Sequence, residues 1–368
     1  MLYIFLYNNF HSHFDVMSPS PKIISTQISD AIDYSELIQS HPWLTEFGRK
    51  YILSPDSDGF LSGLLVSNCL DGEVVGFYDG KVMILKDGTD YRSCTFLDME
   101  INRAGVSSIG NHLVEFNRGI AINNHNFNEC IQPNILRGFD GKNAFQRKYP
   151  FGTIHLLLSI LQEGGVIQDL PEIAISPLLF ADGVGNNLFG YPENCIDWIS
   201  YLKINQRQHI LNKFLCENDL SFYQIMQYLK IFFAMRDRFN AVGYFDGANF
   251  VPGGNNKRTG HKIKISNGQG APINLVDNSN GLFDLHDLEA KRAQGFIREI
   301  ARMMGWKYLD EKWSWTDFKL TILQKGLLSG ESQVPTMRLN NQTYKALFES
   351  NPFSLAMTAS NRIEYTIE

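Results

Sequence analysis

The stretch Tyr51-Ile52-Leu53-Ser54-Pro55-Asp56-Ser57-Asp58-Gly59-Phe60 decides how this chain is read. A short apolar run ends at a proline, which cannot donate to a strand ladder, so a buried strand stops there. From Phe60 onward Phe60, Leu61, Leu64, Leu65 and Cys69 recur at helical spacing. The unit is therefore strand, acidic turn, helix. Asp56 and Asp58 sit at the strand's carboxyl end, where open α/β sheets bind ligands. Alternating around Ser57, their carboxylates can converge on one hard cation such as magnesium or manganese. The turn also suits a helix N-cap, in which Ser54, Asp56 or Ser57 satisfies the first amides and an acid meets the positive helix end. The sequence leaves both uses open.

Working outward, Val74 to Tyr78 and Val82 to Leu85 read as strands joined through Asp79-Gly80, a hairpin-type turn. Thr95-Phe96-Leu97 is a further buried strand ending on Asp98, and Val106 to Ile109 a shorter one running into Gly110-Asn111-His112. Upstream, residues 22–50 read as a peripheral helical hairpin. A strong helix is expected after Tyr149-Pro150-Phe151-Gly152 as far as Leu161, and the apolar segment Ile173 to Phe180 leads into Ala181-Asp182-Gly183. Residues 193–240 have mostly helical spacing, 241–280 are rich in Gly and Asn, and 285–305 form an amphipathic helix. These elements predict an α/β fold, a mostly parallel sheet domain with a second, smaller α+β domain. The expected organisation is a leader and peripheral helices over 1–50, the metal-binding α/β domain over 51–190, a helical connector over 191–240 and the α+β domain over 241–368.

The bulk numbers narrow the function. At 368 residues the chain exceeds one ordinary core, which favours two domains. A net charge of −6 supplies no basic field for a polymeric phosphate backbone. Nucleotides or short single-stranded nucleic acid, held locally, are the expected partners. Five scattered cysteines without a CxxC pair suggest reduced thiols and a cytoplasmic setting. No apolar run reaches the length of a membrane span, and the opening Met1 to Tyr7 lacks the marks of a signal peptide.

The run Ile52 to Gly63 resembles the first motif of the DHH phosphoesterase superfamily, the group of RecJ-like exonucleases and oligoribonucleases. Phe96-Leu97-Asp98 resembles its second motif, and Ser108-Ile109-Gly110-Asn111-His112 is similar to the Asp-His-His signature. Tyr149 to Leu161 with Leu179 to Gly183 resembles the later helix and final acidic motif, so the likeness spans roughly residues 50–190. It implies that Asp56, Asp58, Asp98, His112 and Asp182 bind two Mn2+ or Mg2+ ions and catalyse phosphodiester hydrolysis by metal-activated water. It also implies a Gly-rich basic substrate loop, for which Pro252 to Lys262 offers Lys257, Arg258, His261 and Lys262. Two departures stand out. Gly110-Asn111 replace the first two letters of the signature, and Ser54 stands where many members carry another histidine. Asn111 still offers a carbonyl oxygen, a weaker ligand than imidazole.

Two other readings use the same residues. A haloacid-dehalogenase-type phosphatase would make Asp56 a covalent nucleophile, but Pro55 interrupts the strand, Asn187 takes the place of an expected second Asp, and Asp98 and His112 lack roles. A DHH-type scaffold without hydrolysis would be a nucleic-acid or protein-binding module.

Overall fold

The computed structural model describes residues 30–217, 221–241, 244–246, 249–251, 260–278 and 280–368, and Ala31–Glu368 form one compact unit. Of the expected substrate loop, Lys257 and Arg258 lie outside the described residues.

A nine-stranded sheet runs through the unit in the order β6-β5-β4-β1-β2-β3-β11-β10-β9. Its parallel part is β1 (Lys50–Leu53), β2 (Glu73–Tyr78), β4 (Cys94–Leu97), β5 (Ser107–Ile109) and β6 (Cys130–Ile131). Strand β3 (Val82–Lys86) turns back antiparallel on β2 through Asp79-Gly80, as the hairpin signal predicts. A short hairpin, β7 (Tyr244–Asp246) and β8 (Asn249–Val251), forms a separate two-stranded sheet among the described residues. From the last third of the chain, β9 (Leu275–Asp277), β10 (Phe283–Leu285) and β11 (Phe318–Ile322) extend the large sheet antiparallel beyond β3. A separate three-stranded antiparallel sheet holds β12 (Gln324–Ser329), β14 (Arg362–Ile367) and β13 (Ser354–Ala359). The fold is therefore α/β, with a parallel-cored mixed sheet and a smaller antiparallel sheet beside it.

The α-helices between Tyr34 and Gly190 are α1 (Tyr34–Ser40), α2 (Ser57–Cys69), α3 (Pro133–Leu136), α4 (Gly141–Ala144), α5 (Thr153–Glu163), α6 (Ile175–Phe180) and α7 (Val184–Gly190). The hairpin expected upstream of β1 is α1 followed by a single 3-10 turn, Pro42–Thr45. Every residue of α2 from Ser57 to Ser67 is buried, so the helix is enclosed on all sides rather than laid over one face. Gly63 permits this closeness: a Cβ there would stand 2.5 Å from Leu53 Cδ1 and 2.7 Å from Trp313. Trp313 in turn stacks on Trp315, ring centroids 6.2 Å apart. The apolar run of α5 is likewise buried from Thr153 to Leu161.

This topology fixes where a site can form. Strand β1 has β2 on one side and β4 on the other, both parallel to it. The chain leaves β1 toward one edge and returns at β4 toward the other, which opens a crevice at the carboxyl ends of these two strands. Asp56 and Asp58 follow β1, and Asp98 follows β4.

Candidate metal centre

Asp58, Asp98 and Asp182 come together at that crevice, with one carboxylate oxygen from each lying within 4.8 Å of the others. Three separate elements supply them. Asp58 is in the first turn of α2 and fully buried, and its carboxylate accepts the first two amides of α5, Thr153 N at 2.6 Å and Ile154 N at 3.0 Å. A helix N-terminus is an anion site, so α5 holds this carboxylate in place without a side-chain cation. Gly152 makes the approach possible, since a Cβ on it would lie 2.8 Å from Asp58 Oδ2.

Asp98 is 5% exposed and left-handed at φ 63°, a conformation that costs a non-glycine residue energy. The β5 strand compensates: Ile109 O accepts both Asp98 N at 2.8 Å and Met99 N at 3.2 Å. The chain thus turns sharply at the end of β4 and points the carboxylate inward, where Asp98 Oδ1 accepts the Thr153 hydroxyl at 2.9 Å. Asp182 is also left-handed, at φ 49°, in the turn before α7. Its Oδ2 accepts the Asn111 amide, which also donates to Phe151 O at 3.4 Å.

Among the described residues no side-chain cation forms an ion pair with the three acids, although the more distant His112 charge works against the rise at Asp182, and their protonation equilibria reflect it. The Asp58 carboxyl is pushed well above the usual carboxylate range by burial and then by the Asp182 charge, against the two α5 amides. Burial, then Asp58 and Asp182, raise Asp98 in the same way. Asp182 is exposed as a residue, yet its carboxyl group is ringed by protein, and that enclosure together with Asp56 raises it too. Oxygen-only donors in a desolvated cluster suit a hard divalent cation such as Mg2+ or Mn2+.

The other expected site residues have different employment. Asp56 is the N-cap of α2, its Oδ1 accepting Gly59 N at 3.4 Å, and it stands outside the three-carboxylate cluster. Beside it runs the segment of Lys262: Ile263 N donates to Pro55 O at 2.8 Å, and Lys262 Nζ lies 4.0 Å from Asp56 Oδ2. His261 packs edge-on against Phe180 and Phe296. His112 turns away to Glu100, which accepts its backbone N–H at 2.6 Å and faces Nδ1 at 3.4 Å. Enclosure by protein lowers the His112 pKa, but the Glu100 charge, its hydrogen bond and the Asp182 charge together outweigh that effect and raise the imidazole to about 9. A protonated imidazole cannot ligate a metal.

Sequence reading missed Thr153, Gly152 and Glu100. Thr153 serves two acids at once, through its N–H and its hydroxyl, although it is 95 residues from Asp58 and 55 from Asp98 in the chain. Glu100 also accounts for Gly110: a Cβ at that position would meet Glu100 Oε1 at 2.2 Å, so the glutamate carboxylate fills the space of the missing side chain. The helix signal at Gly152 was legible, but nothing local announced which acids its first amides would receive.

No family model, no curated protein and no solved structure matches this chain.

Proposed function

We propose that the chain is a divalent-metal-dependent phosphodiesterase, a divergent enzyme of the DHH type, acting on nucleotides or short single-stranded nucleic acid. The observation that carries this reading is the meeting of Asp58, Asp98 and Asp182 at the carboxyl edge of the parallel strands, two of them buried and none, among the described residues, in an ion pair. These three residues would hold a single Mg2+ or Mn2+ ion, since Asp56 caps α2 and His112 is bound to Glu100. When bound, such an ion supplies Lewis-acid polarisation of a phosphoryl oxygen and a water of lowered pKa.

The chain's own residues do the remaining work. The α5 amides and the Thr153 hydroxyl fix the orientation of Asp58 and Asp98, and Asn111 fixes Asp182. Such outer partners set ligand geometry as firmly as the ligands themselves. Among the described residues none donates a hydrogen bond to Asp56 Oδ2, which stands beside the centre, where it is placed to take up a proton from an attacking water. Lys262, half exposed next to it, adds positive charge on the solvent side.

The test is a hydrolysis screen with purified protein, covering bis(4-nitrophenyl) phosphate, short oligonucleotides and cyclic dinucleotides. The expected outcome is turnover that requires Mn2+ or Mg2+ and is lost in EDTA. Turnover equal to the protein-free control on every phosphodiester tried would overturn the hydrolase reading.

A further inference from the structure

A cleft of about 980 Å3 opens on the centre from one side. Asn111, His112 and Asp182 line it, and Arg147, Lys148 and the exposed Tyr191 are among the other residues of its wall. Its size lies at the top of the range of roughly 300–1,000 Å3 typical of small-molecule sites.

The charges in this wall are unequal in their availability. Arg147 faces Asp197 at 3.3 Å, and the same carboxylate takes Arg137 at 2.9 Å. His112 belongs to Glu100. Lys148, among the described residues, forms no ion pair, although it is only partly exposed. Its ammonium lies 4.7 Å from the centroid of the Phe145 ring, and its backbone is pinned by Asn194, whose amide donates to Lys148 O at 2.9 Å. Withdrawing an ammonium from water without a carboxylate is costly, and an aromatic face recovers part of that cost. The arrangement keeps a preformed positive charge in the wall of the cleft, close enough to Asp182 for the two charges to interact.

We infer that Lys148 anchors an anionic group of the ligand inside this cleft, so that the natural substrate carries negative charge beyond the ester undergoing hydrolysis. The inference rests on the proposed hydrolase only for calling that ligand a substrate. Anchoring in this wall holds the ligand against the Asp182 side of the centre, and the amide-bearing and aromatic lining accommodates a ring or sugar rather than an alkyl chain.

Binding of AMP and of adenosine, which differ only by the phosphate, tests the anchor by calorimetry in EDTA, without turnover. Wild-type protein should bind AMP at least about ten-fold more tightly than adenosine, as a charge-assisted contact implies. Lys148→Met should erase that preference while leaving adenosine affinity and melting temperature unchanged, and Lys148→Arg should keep most of it. Equal binding of the two ligands by the wild type, or an undiminished preference in Lys148→Met, would overturn the anchor. AMP held through Lys148 with no metal-dependent hydrolysis would sink the hydrolase and leave the anchor standing. The converse result would do the opposite.

Discussion

Asp98→Asn is expected to raise the melting temperature of the metal-free chain and to abolish its response to manganese. The two effects have one cause. Asp98 shares a desolvated space with Asp58 and Asp182, their oxygens within 4.8 Å. Like charges at that separation repel by roughly 3–4 kcal/mol at an effective dielectric constant of about 20, so the folded chain retains protons on this cluster instead. The sign follows from the raised carboxyl pKa values. A folded-state pKa above the unfolded one favours folding at pH below the ordinary carboxylate value of 3.8, and that contribution is lost as pH rises through the folded value. Metal-free wild type should therefore weaken as pH rises above that ordinary value, and Asp98→Asn should weaken less. The asparagine still presents an oxygen to the Thr153 hydroxyl, so packing is preserved. Saturating wild type with manganese at about 100 times its dissociation constant should stabilise it by about 2.7 kcal/mol. The variant should gain almost nothing, and its hydrolytic rate should fall about 10³-fold, the loss of several kcal/mol of charge stabilisation. Melting curves in EDTA and in Mn2+ at several pH values check both halves. A destabilised metal-free variant, or one still stabilised by manganese, would contradict the arrangement.

Gly59→Ala should cost about 3 kcal/mol, at the upper end of overpacking penalties. An added Cβ would lie 2.0 Å from Ser54 O, 2.9 Å from Ser54 C and 3.1 Å from Ser54 N. These are backbone atoms of the turn itself, and no rotamer change can move them aside. Relief would require unseating Pro55 and Asp56, and with them the cap of α2 and the carboxylate of Asp58. The measurable result is a melting temperature lower by roughly 4 °C together with weaker manganese binding. Gly190→Ala is the control, because nothing lies within 4 Å of its Cβ position, and its stability should change by no more than about 0.5 kcal/mol.

What the sequence revealed and what it hid follow from the range of the interactions involved. The strand, turn and helix around Asp56 and Asp58 are local, and so is the turn at Asp98, so apolar patterning and turn chemistry located them. The choice between helix cap and metal ligand had no local answer. The two acids divide the tasks, Asp56 capping α2 and Asp58 turning inward. Only the α5 amides settle that division, and they come from 95 residues downstream. In the same way β11 lies along β3 with Phe318 opposite Lys86, a pairing between distant segments whose apolar patterns do not name each other. Lys148 escaped notice because a single lysine beside an arginine is ordinary in sequence. Its significance comes from the pairing of Arg147 and His112 with other carboxylates.

The most direct measurement is a calorimetric titration of the metal-free protein with Mn2+, repeated on Asp58→Asn, Asp98→Asn and Asp182→Asn. A single ion per chain, with proton release on binding and loss of the site in each variant, is the predicted result. No binding at millimolar Mn2+, or binding that all three variants retain, would contradict a cation site built from Asp58, Asp98 and Asp182.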